Sequence, residues 1–311
     1  MKLQSPCIKV TSRSFSKHPV LKQELLELFP NSVFITEDSS TNLPGIVELL
    51  QEADGVILGM QQMDRSSLQQ LKKLKIIAKY GVGFDNLDVE FAEELGITVG
   101  WNGGVNKRSV SEQTVGFMLG LCRNLFFSAF PLKQGRWEKD GGILLTSKNI
   151  GIIGCGHIGT DVVHLLQPFN CKIMISDLLD KKGVVDTYGV TQVSLEKLLN
   201  EADVVSMHVP LTELTHFMVN DEFLQQMKPS AYLINTCRGL VVNQKALKKA
   251  LQKKIIAGAA LDVFQSEPPD DLDFLSLPNL MVTPHIGGNA NEAVLDMGRS
   301  AIRHLKEFFL N

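Results

Sequence analysis

No apolar run in this chain of 311 residues reaches the length of roughly 20 residues that crosses a bilayer, so nothing in the composition calls for a membrane. The start, Met1 to Val10, carries a proline and polar residues where a signal peptide would be apolar, which predicts a cytoplasmic protein. Cysteine is sparse and scattered: Cys7, Cys122, Cys155, Cys171 and Cys237 are odd in number and contain no C-x-x-C, excluding a disulfide framework and a zinc ribbon. Cys155 and Cys171 lie in or beside strand-like runs and read as inert thiols, and Cys237 has no activating base beside it in sequence. His, Cys, Asp and Glu show no metal-ligand spacing, and His18, His164, His216 and His304 read as structural or solvated. The net charge of −3 leaves no basic footprint for nucleic acid and no acidic tail, and repeats and low-complexity tracts are missing. What remains is a chain 44% hydrophobic and 21% charged, long enough for two domains with proper cores and suited to small-molecule chemistry.

The chain is organised around Ile150-Gly151-Ile152-Ile153-Gly154-Cys155-Gly156-His157-Ile158-Gly159. The apolar run predicts a buried parallel strand, G-x-G-x-x-G the turn out of it, and Asp161 to Gln167 the following helix. Gly154 permits the tight turn, Gly156 lets the backbone approach a pyrophosphate, and Gly159 lets helix and strand pack closely. A pyrophosphate then sits on free N–H groups at the positive helix end, with that of His157 among them whatever its side chain. Asp177, eighteen residues after Gly159, is placed to accept from both ribose hydroxyls and to repel a 2′-phosphate, favouring NAD over NADP. Lys181 and Lys182 nearby read as solvated charges.

Before this stretch, β-rich runs (Ile8 to Thr11, Val33 to Thr36, Val56 to Leu58, Ile76 to Lys79, Ile97 to Val99) alternate with helical ones (Val20 to Phe29, Ile46 to Gln51, Ser66 to Leu74, Val89 to Leu95). Strand and helix taking turns means a parallel sheet with crossover helices. Asn106 to Phe127 reads as one long helix, apolar nearly all round and therefore buried, leading into a second domain. There six strands follow: Ile150 to Ile153, Ile173 to Ser176, Val204 to His208, Tyr232 to Asn235, Gly258 to Leu261 and Leu280 to Thr283. Six is the count of a doubly wound dinucleotide fold. The amphipathic helix Asn291 to Leu310 is expected to return and cover the first domain. The fold class is therefore α/β, with residues 1–103 and 286–311 as a smaller substrate domain and 104–285 as the Rossmann-like dinucleotide-binding domain.

Ligands on doubly wound sheets bind beyond the carboxyl ends of the strands. The segments there are Thr236-Cys237-Arg238-Gly239, Asp262 through Glu267 to Pro269, and Pro284-His285-Ile286-Gly287. Their residue types suit hydride transfer to a 2-oxo acid. Arg238 can grip a carboxylate with its planar fork and polarise the neighbouring carbonyl. His285 can exchange the proton of the hydroxyl. Glu267 can hold the second ring nitrogen and raise the imidazole pKa. On the first domain, Lys79 to Asn86 follows a strand with two glycines and can expose consecutive N–H groups, including those of Val82 and Gly83, to a carboxylate.

These motifs, in this order and over nearly the whole chain, resemble the D-2-hydroxyacid dehydrogenase family. Its substrate loop resembles Tyr80 to Asn86, and its cofactor loop resembles Gly154 to Gly159 with Asp177. Its later signatures resemble His208-Val209-Pro210-Leu211-Thr212, Asn235 to Gly239 with Asp262 to Pro268, and Thr283 to Gly287. The resemblance implies a catalytic set of Arg238, Glu267 and His285, and substrate contacts from Tyr80, Val82, Gly83 and Arg238. It implies NAD held by Gly154, Gly156, His157, Ile158, Gly159, Asp177, His208, Pro210, Thr215, Thr236, Cys237, Asp262 and Gly287, with Asp262 near the nicotinamide amide. It also implies a flavodoxin-like substrate domain and a homodimer held by about Asn102 to Asn149.

Val10 to Phe15 and Lys79 to Asn86 look most like bacterial D-3-phosphoglycerate dehydrogenase-type members without a regulatory domain, making phosphoglycerate the first-choice substrate. The chain departs from them at Gly59-Met60-Gln61-Gln62, where many carry an arginine and a serine, and at Gly103-Gly104 and Ser111. A phosphate would have to find Arg13, Lys79, Lys107 or Arg108. The alternatives are a glyoxylate/hydroxypyruvate reductase and, from another class, an NADH-sensing binding protein like the family's corepressors.

Overall fold

Strands that are apolar at consecutive positions are stable only when both faces of their sheet are covered, and this chain builds two such sheets. A computed structural model describes residues 5–35 and 45–311. The chain divides into two units, Met1–Asn106 with Gly288–Asn311, and Lys107–Gly287, so it passes between them after Asn106 and again after Gly287. Among the described residues no single helix is long and apolar enough to cross a membrane.

The first unit holds β1 (Ile8–Val10), β2 (Val33–Phe34), β3 (Gly55–Leu58), β4 (Ile76–Lys79) and β5 (Thr98–Gly100). All pair in parallel, in the order β2-β1-β3-β4-β5, the flavodoxin-like arrangement. Of the expected second strand, Thr36 lies outside the described residues, as do the first four residues of the Met1 to Val10 start. Successive side chains go to opposite faces: Val56 and Leu58 of β3 join one core with Ile77, while Ile57 joins the other with Ile76 and Ala78. That second core is closed by the last helix, Asn291–Leu310, through Ala301, Ile302 and Leu305, as its amphipathic spacing predicts. A short helix at Arg13–Lys17, capped by the Ser12 hydroxyl, was not legible from periodicity because five residues hold barely one turn.

The second unit carries β6 (Asn149–Ile153), β7 (Lys172–Ser176), β8 (Thr191–Gln192), β9 (Val204–Met207), β10 (Tyr232–Asn235), β11 (Gly258–Leu261) and β12 (Leu280–Val282). They form one parallel sheet in the order β12-β11-β10-β9-β6-β7-β8, seven strands where six were expected. The addition, β8, is a two-residue edge strand paired with β7, too short for an alternation signal. The expected long helix over Asn106 to Phe127 is two helices, Lys107–Cys122 and Leu125–Lys133. Asn124 breaks it with φ of 53°, a left-handed conformation that asparagine tolerates, and the Cys122 carbonyl accepts from Ile143 N–H instead of continuing the helix. The first helix packs into the core through Phe117, Met118 and Leu121, whereas the second buries no residue, so the predicted burial holds over Lys107–Cys122 and not over Leu125–Lys133.

Leu305 is fully buried in the first unit, and Leu305→Ala should cost about 2–5 kcal/mol there. Hydrogen exchange should quicken in β3 and β4 and stay unchanged in β6 to β12; equal quickening in both units would contradict this assignment of the last helix.

Candidate active site

At the end of β6 the chain turns on Gly154, with φ of 85°, and enters the helix His157–Leu166, four residues earlier than expected. Gly159 is needed there because a Cβ would stand 2.2 Å from the Gly154 carbonyl oxygen. A Cβ on Gly156 would meet open space, so this turn presents bare backbone outward. The helix has no side-chain cap, and the N–H groups of His157, Ile158 and Gly159 in its first turn have no intrahelical acceptor. Such a cradle, ten helical residues long, fits the pyrophosphate of a dinucleotide.

Asp177 stands just beyond β7, next to this turn. Its Oδ2 accepts from Cys155 N–H at 2.7 Å and pairs with Lys181 Nζ at 3.3 Å, and its Oδ1 accepts from Leu179 N–H at 2.9 Å. Burial pushes the carboxyl up, but the Leu179 and Cys155 N–H groups and then Lys181 bring it below the ordinary aspartate value. A carboxylate offers about four acceptor positions, and three of those of Asp177 are engaged within the protein. Lys181 is not the solvated charge expected, since its side chain is 18% exposed.

The other constellation rises from three neighbouring strands. Arg238 follows β10, Glu267 lies within the loop after β11, and His285 follows β12, and the three strands are neighbours in the order β12-β11-β10. His285 Nδ1 lies 2.6 Å from Glu267 Oε2, while Glu267 Oε1 accepts from Phe264 N–H at 3.0 Å. The Arg238 loop meets the β11 loop so closely that a Cβ on Gly239 would sit 1.9 Å from the Phe264 carbonyl oxygen. The hydrogen bond to Glu267 raises the His285 pKa above its ordinary value against the opposing effect of burial, with the Glu267 and Asp262 charges helping and Arg238 opposing. Glu267 is pushed up by burial and brought below its ordinary value by the His285 ring, the Phe264 N–H and Arg238.

Asp262, 1% exposed, is engaged by the turn that carries His285. Its Oδ1 accepts from the Thr283 hydroxyl and from Ile286 N–H, its Oδ2 from Gly287 N–H at 2.7 Å, and its carbonyl accepts from His285 N–H at 2.8 Å. The result is a tight turn with His285 at φ of 54°, strain that this bonding holds in place. Gln113 Nε2 donates to Thr283 Oγ1 at 2.8 Å, extending the network into the helix Lys107–Cys122. Asn235, fully buried at the end of β10, accepts from Cys237 N–H and donates to the Arg238 carbonyl, fixing the loop that carries Arg238. Sequence reading passed over Gln113, and it named Asn235 and Thr283 only as ends of motifs, without a role. A polar residue ending an otherwise apolar buried strand was the one available signal, for Asn235.

The remaining expected residues are spread along the same sheet edge. His208 donates its backbone N–H to the Ile153 carbonyl, and its ring, bonded to Ser206 Oγ at 2.9 Å, is driven by burial to a pKa of about 3. Thr215 donates to the Pro210 carbonyl and accepts from Thr212 N–H, shaping the loop after β9. Thr236 pairs with Thr114, and burial pushes the Cys237 thiol to about 11, which removes it as a nucleophile. In the first unit, the Tyr80 hydroxyl bonds Ser14 Oγ at 3.1 Å and its ring packs against Phe15. Gly81, with φ of 103°, opens the loop carrying Val82 and Gly83.

A parallel sheet with a bare helix N-terminus at its central turn and an acid beyond the next strand defines a dinucleotide-binding unit. Residues 115–287, more than half of the chain, match the family described as D-isomer specific 2-hydroxyacid dehydrogenase, NAD binding domain. The chain is 36% identical over 273 residues to a glyoxylate reductase from Thermococcus litoralis, covering 85% of this chain and 82% of that protein. It is 36% identical over 266 residues to a D-3-phosphoglycerate dehydrogenase from Methanocaldococcus jannaschii, covering 84% of this chain but 51% of that protein, about half its length. A solved D-lactate dehydrogenase from Aquifex aeolicus, complexed with NAD and lactic acid, matches with a TM-score of 0.84 at 28% identity, covering 97% of this chain and 95% of that one. The chain belongs to the D-isomer specific 2-hydroxyacid dehydrogenases, and it is an NAD-dependent oxidoreductase.

NMR titration of His285 should give a midpoint above the ordinary histidine value, and Glu267→Gln should lower it by removing the leading cause of the shift. An unchanged midpoint in that variant would mean the bond does not set the histidine's protonation.

Proposed function

We propose that Arg238, Glu267 and His285 are the catalytic residues for reduction of a small, unphosphorylated 2-oxo acid of the glyoxylate or hydroxypyruvate class. The observation that carries this reading is the 2.6 Å His285–Glu267 bond beside Arg238 at three adjacent strand ends. Arg238 takes the substrate carboxylate in its planar fork and draws electron density from the neighbouring carbonyl. The hydride is the chemistry that NADH supplies when bound, with Gly156, His157, Ile158 and Asp177 as the residues that hold it. His285 gives its Nε2 proton to the oxygen as it becomes an alkoxide, because Nδ1 is engaged by Glu267, and Glu267 stabilises the cation until the proton leaves. Reduction needs the imidazolium, so turnover falls as pH rises through the raised His285 pKa. Tyr80, Val82 and Gly83 are the proposed substrate contacts of the first unit.

One of the four cations named for a phosphate is committed inside the protein, since Lys79, 4% exposed, donates to the Gly59 carbonyl. A second, the half-exposed Arg108, is engaged by Asp161 through two hydrogen bonds. This supports an unphosphorylated substrate over the phosphoglycerate expected first. The second reading, 3-phosphoglycerate oxidation, rests on the Methanocaldococcus relative, as similar as the glyoxylate reductase at 36% identity. A homodimer is proposed through the exposed Leu125, Phe130, Leu132, Trp137 and Leu144, an apolar set that a lone chain leaves in water. A sedimentation mass of one chain would contradict it. All five cysteines are unpaired, which supports the cytoplasm; fractionation tests that placement.

NADH oxidation with glyoxylate, hydroxypyruvate and phosphohydroxypyruvate should favour the first two. His285→Ala should lower kcat by about 10²–10⁴-fold, the usual contribution of a general acid, while NADH binding stays within about twofold. Preference for the phosphorylated acid would select the second reading. No turnover on any of them would contradict both readings and point to another 2-oxo acid.

A further inference from the structure

The carboxylate that tells NAD from NADP by charge does so only if it is alone, and in this chain it is not. Asp177 and Lys181 form an ion pair with side chains 13% and 18% exposed, so little water screens it. The pair is held by its loop. Gln192, on the edge strand β8, donates through Nε2 to the Leu179 carbonyl at 2.9 Å and to the Asp177 carbonyl, and its Oε1 accepts from Lys181 N–H at 2.9 Å. Both ends of the segment from Asp177 to Lys181 are thus tied to one side chain, and the ammonium stays on Oδ2 without freezing a free loop. A lysine ammonium has three donors, of which the carboxylate takes one here, leaving donors for an oxygen on the 2′ carbon.

We propose that Lys181 is a coenzyme-specificity residue: by neutralising Asp177 it lets the site accept a 2′-phosphate, so that this enzyme binds NADPH as well as NADH. The inference rests on the reading that Asp177 faces the coenzyme ribose. With the pair intact, a 2′-phosphate meets no net charge; with Lys181 removed it meets a bare carboxylate, and with Asp177 removed it meets a bare ammonium.

The test is the dissociation constant of NADH and of NADPH, read by nicotinamide fluorescence without substrate, in the wild type, Lys181→Met, Lys181→Arg, Asp177→Ala and the double variant Asp177→Ala/Lys181→Met. Lys181→Met should weaken NADPH by about tenfold relative to NADH, an effect of roughly one partly buried charge, and Lys181→Arg should restore the wild-type ratio. Asp177→Ala should tighten NADPH, and that gain should vanish in the double variant. An unchanged ratio in Lys181→Met, or an NADPH gain that survives in the double variant, overturns the role of Lys181. If Asp177→Ala moves neither coenzyme, the placement of Asp177 at the ribose fails instead, and the inference falls with it.

Discussion

A buried carboxylate with no cation on it must be satisfied by hydrogen bonds, and Asp262 is satisfied by the turn that carries His285. Its two oxygens accept from the Thr283 hydroxyl and from the Ile286 and Gly287 N–H groups. Those bonds hold residue 285 in a left-handed conformation, and the imidazole carried by that turn meets Glu267. The rest follows in order. The histidine bond fixes Glu267, the Glu267 loop packs on Gly239, and Gly239 sets where Arg238 begins.

The same logic explains why the network reaches beyond the strand ends. Gln113 and Thr114 of one helix bond Thr283 and Thr236, and Arg108 of that helix holds Asp161 beside the glycine turn. One helix therefore ties the β10 and β12 loops and the dinucleotide helix into a single rigid frame. Rigidity of that kind is what proton transfer over hydrogen-bond distances requires.

Much of this was legible in the sequence because parallel strands buried on both faces leave long apolar words, and the polar residues that end them stand out. Arg238, Glu267 and His285 were found that way. The order of strands was not in those words, nor was the two-residue β8, yet β8 brings the Gln192 that shapes the Asp177 loop. The break at Asn124 was hidden because apolar residues run on past it to Phe130; what decides it is one backbone dihedral and a carbonyl captured by Ile143. The pairing of Lys181 was read as solvent exposure since sequence distance says nothing of where an ammonium points. Networks such as Asp262 with Thr283 and Gln113 join residues more than a hundred positions apart, which no local pattern records.

The account stands on Arg238, Glu267 and His285 acting together on one substrate, and the most direct measurement is a crystal structure of the protein with NADH and oxamate, an unreactive isostere of a 2-oxo acid. The expected result is oxamate's carboxylate in the fork of Arg238 and its carbonyl oxygen within hydrogen-bond distance of His285 Nε2, with Nδ1 still on Glu267. Oxamate bound away from both side chains, with the coenzyme in place, would contradict it.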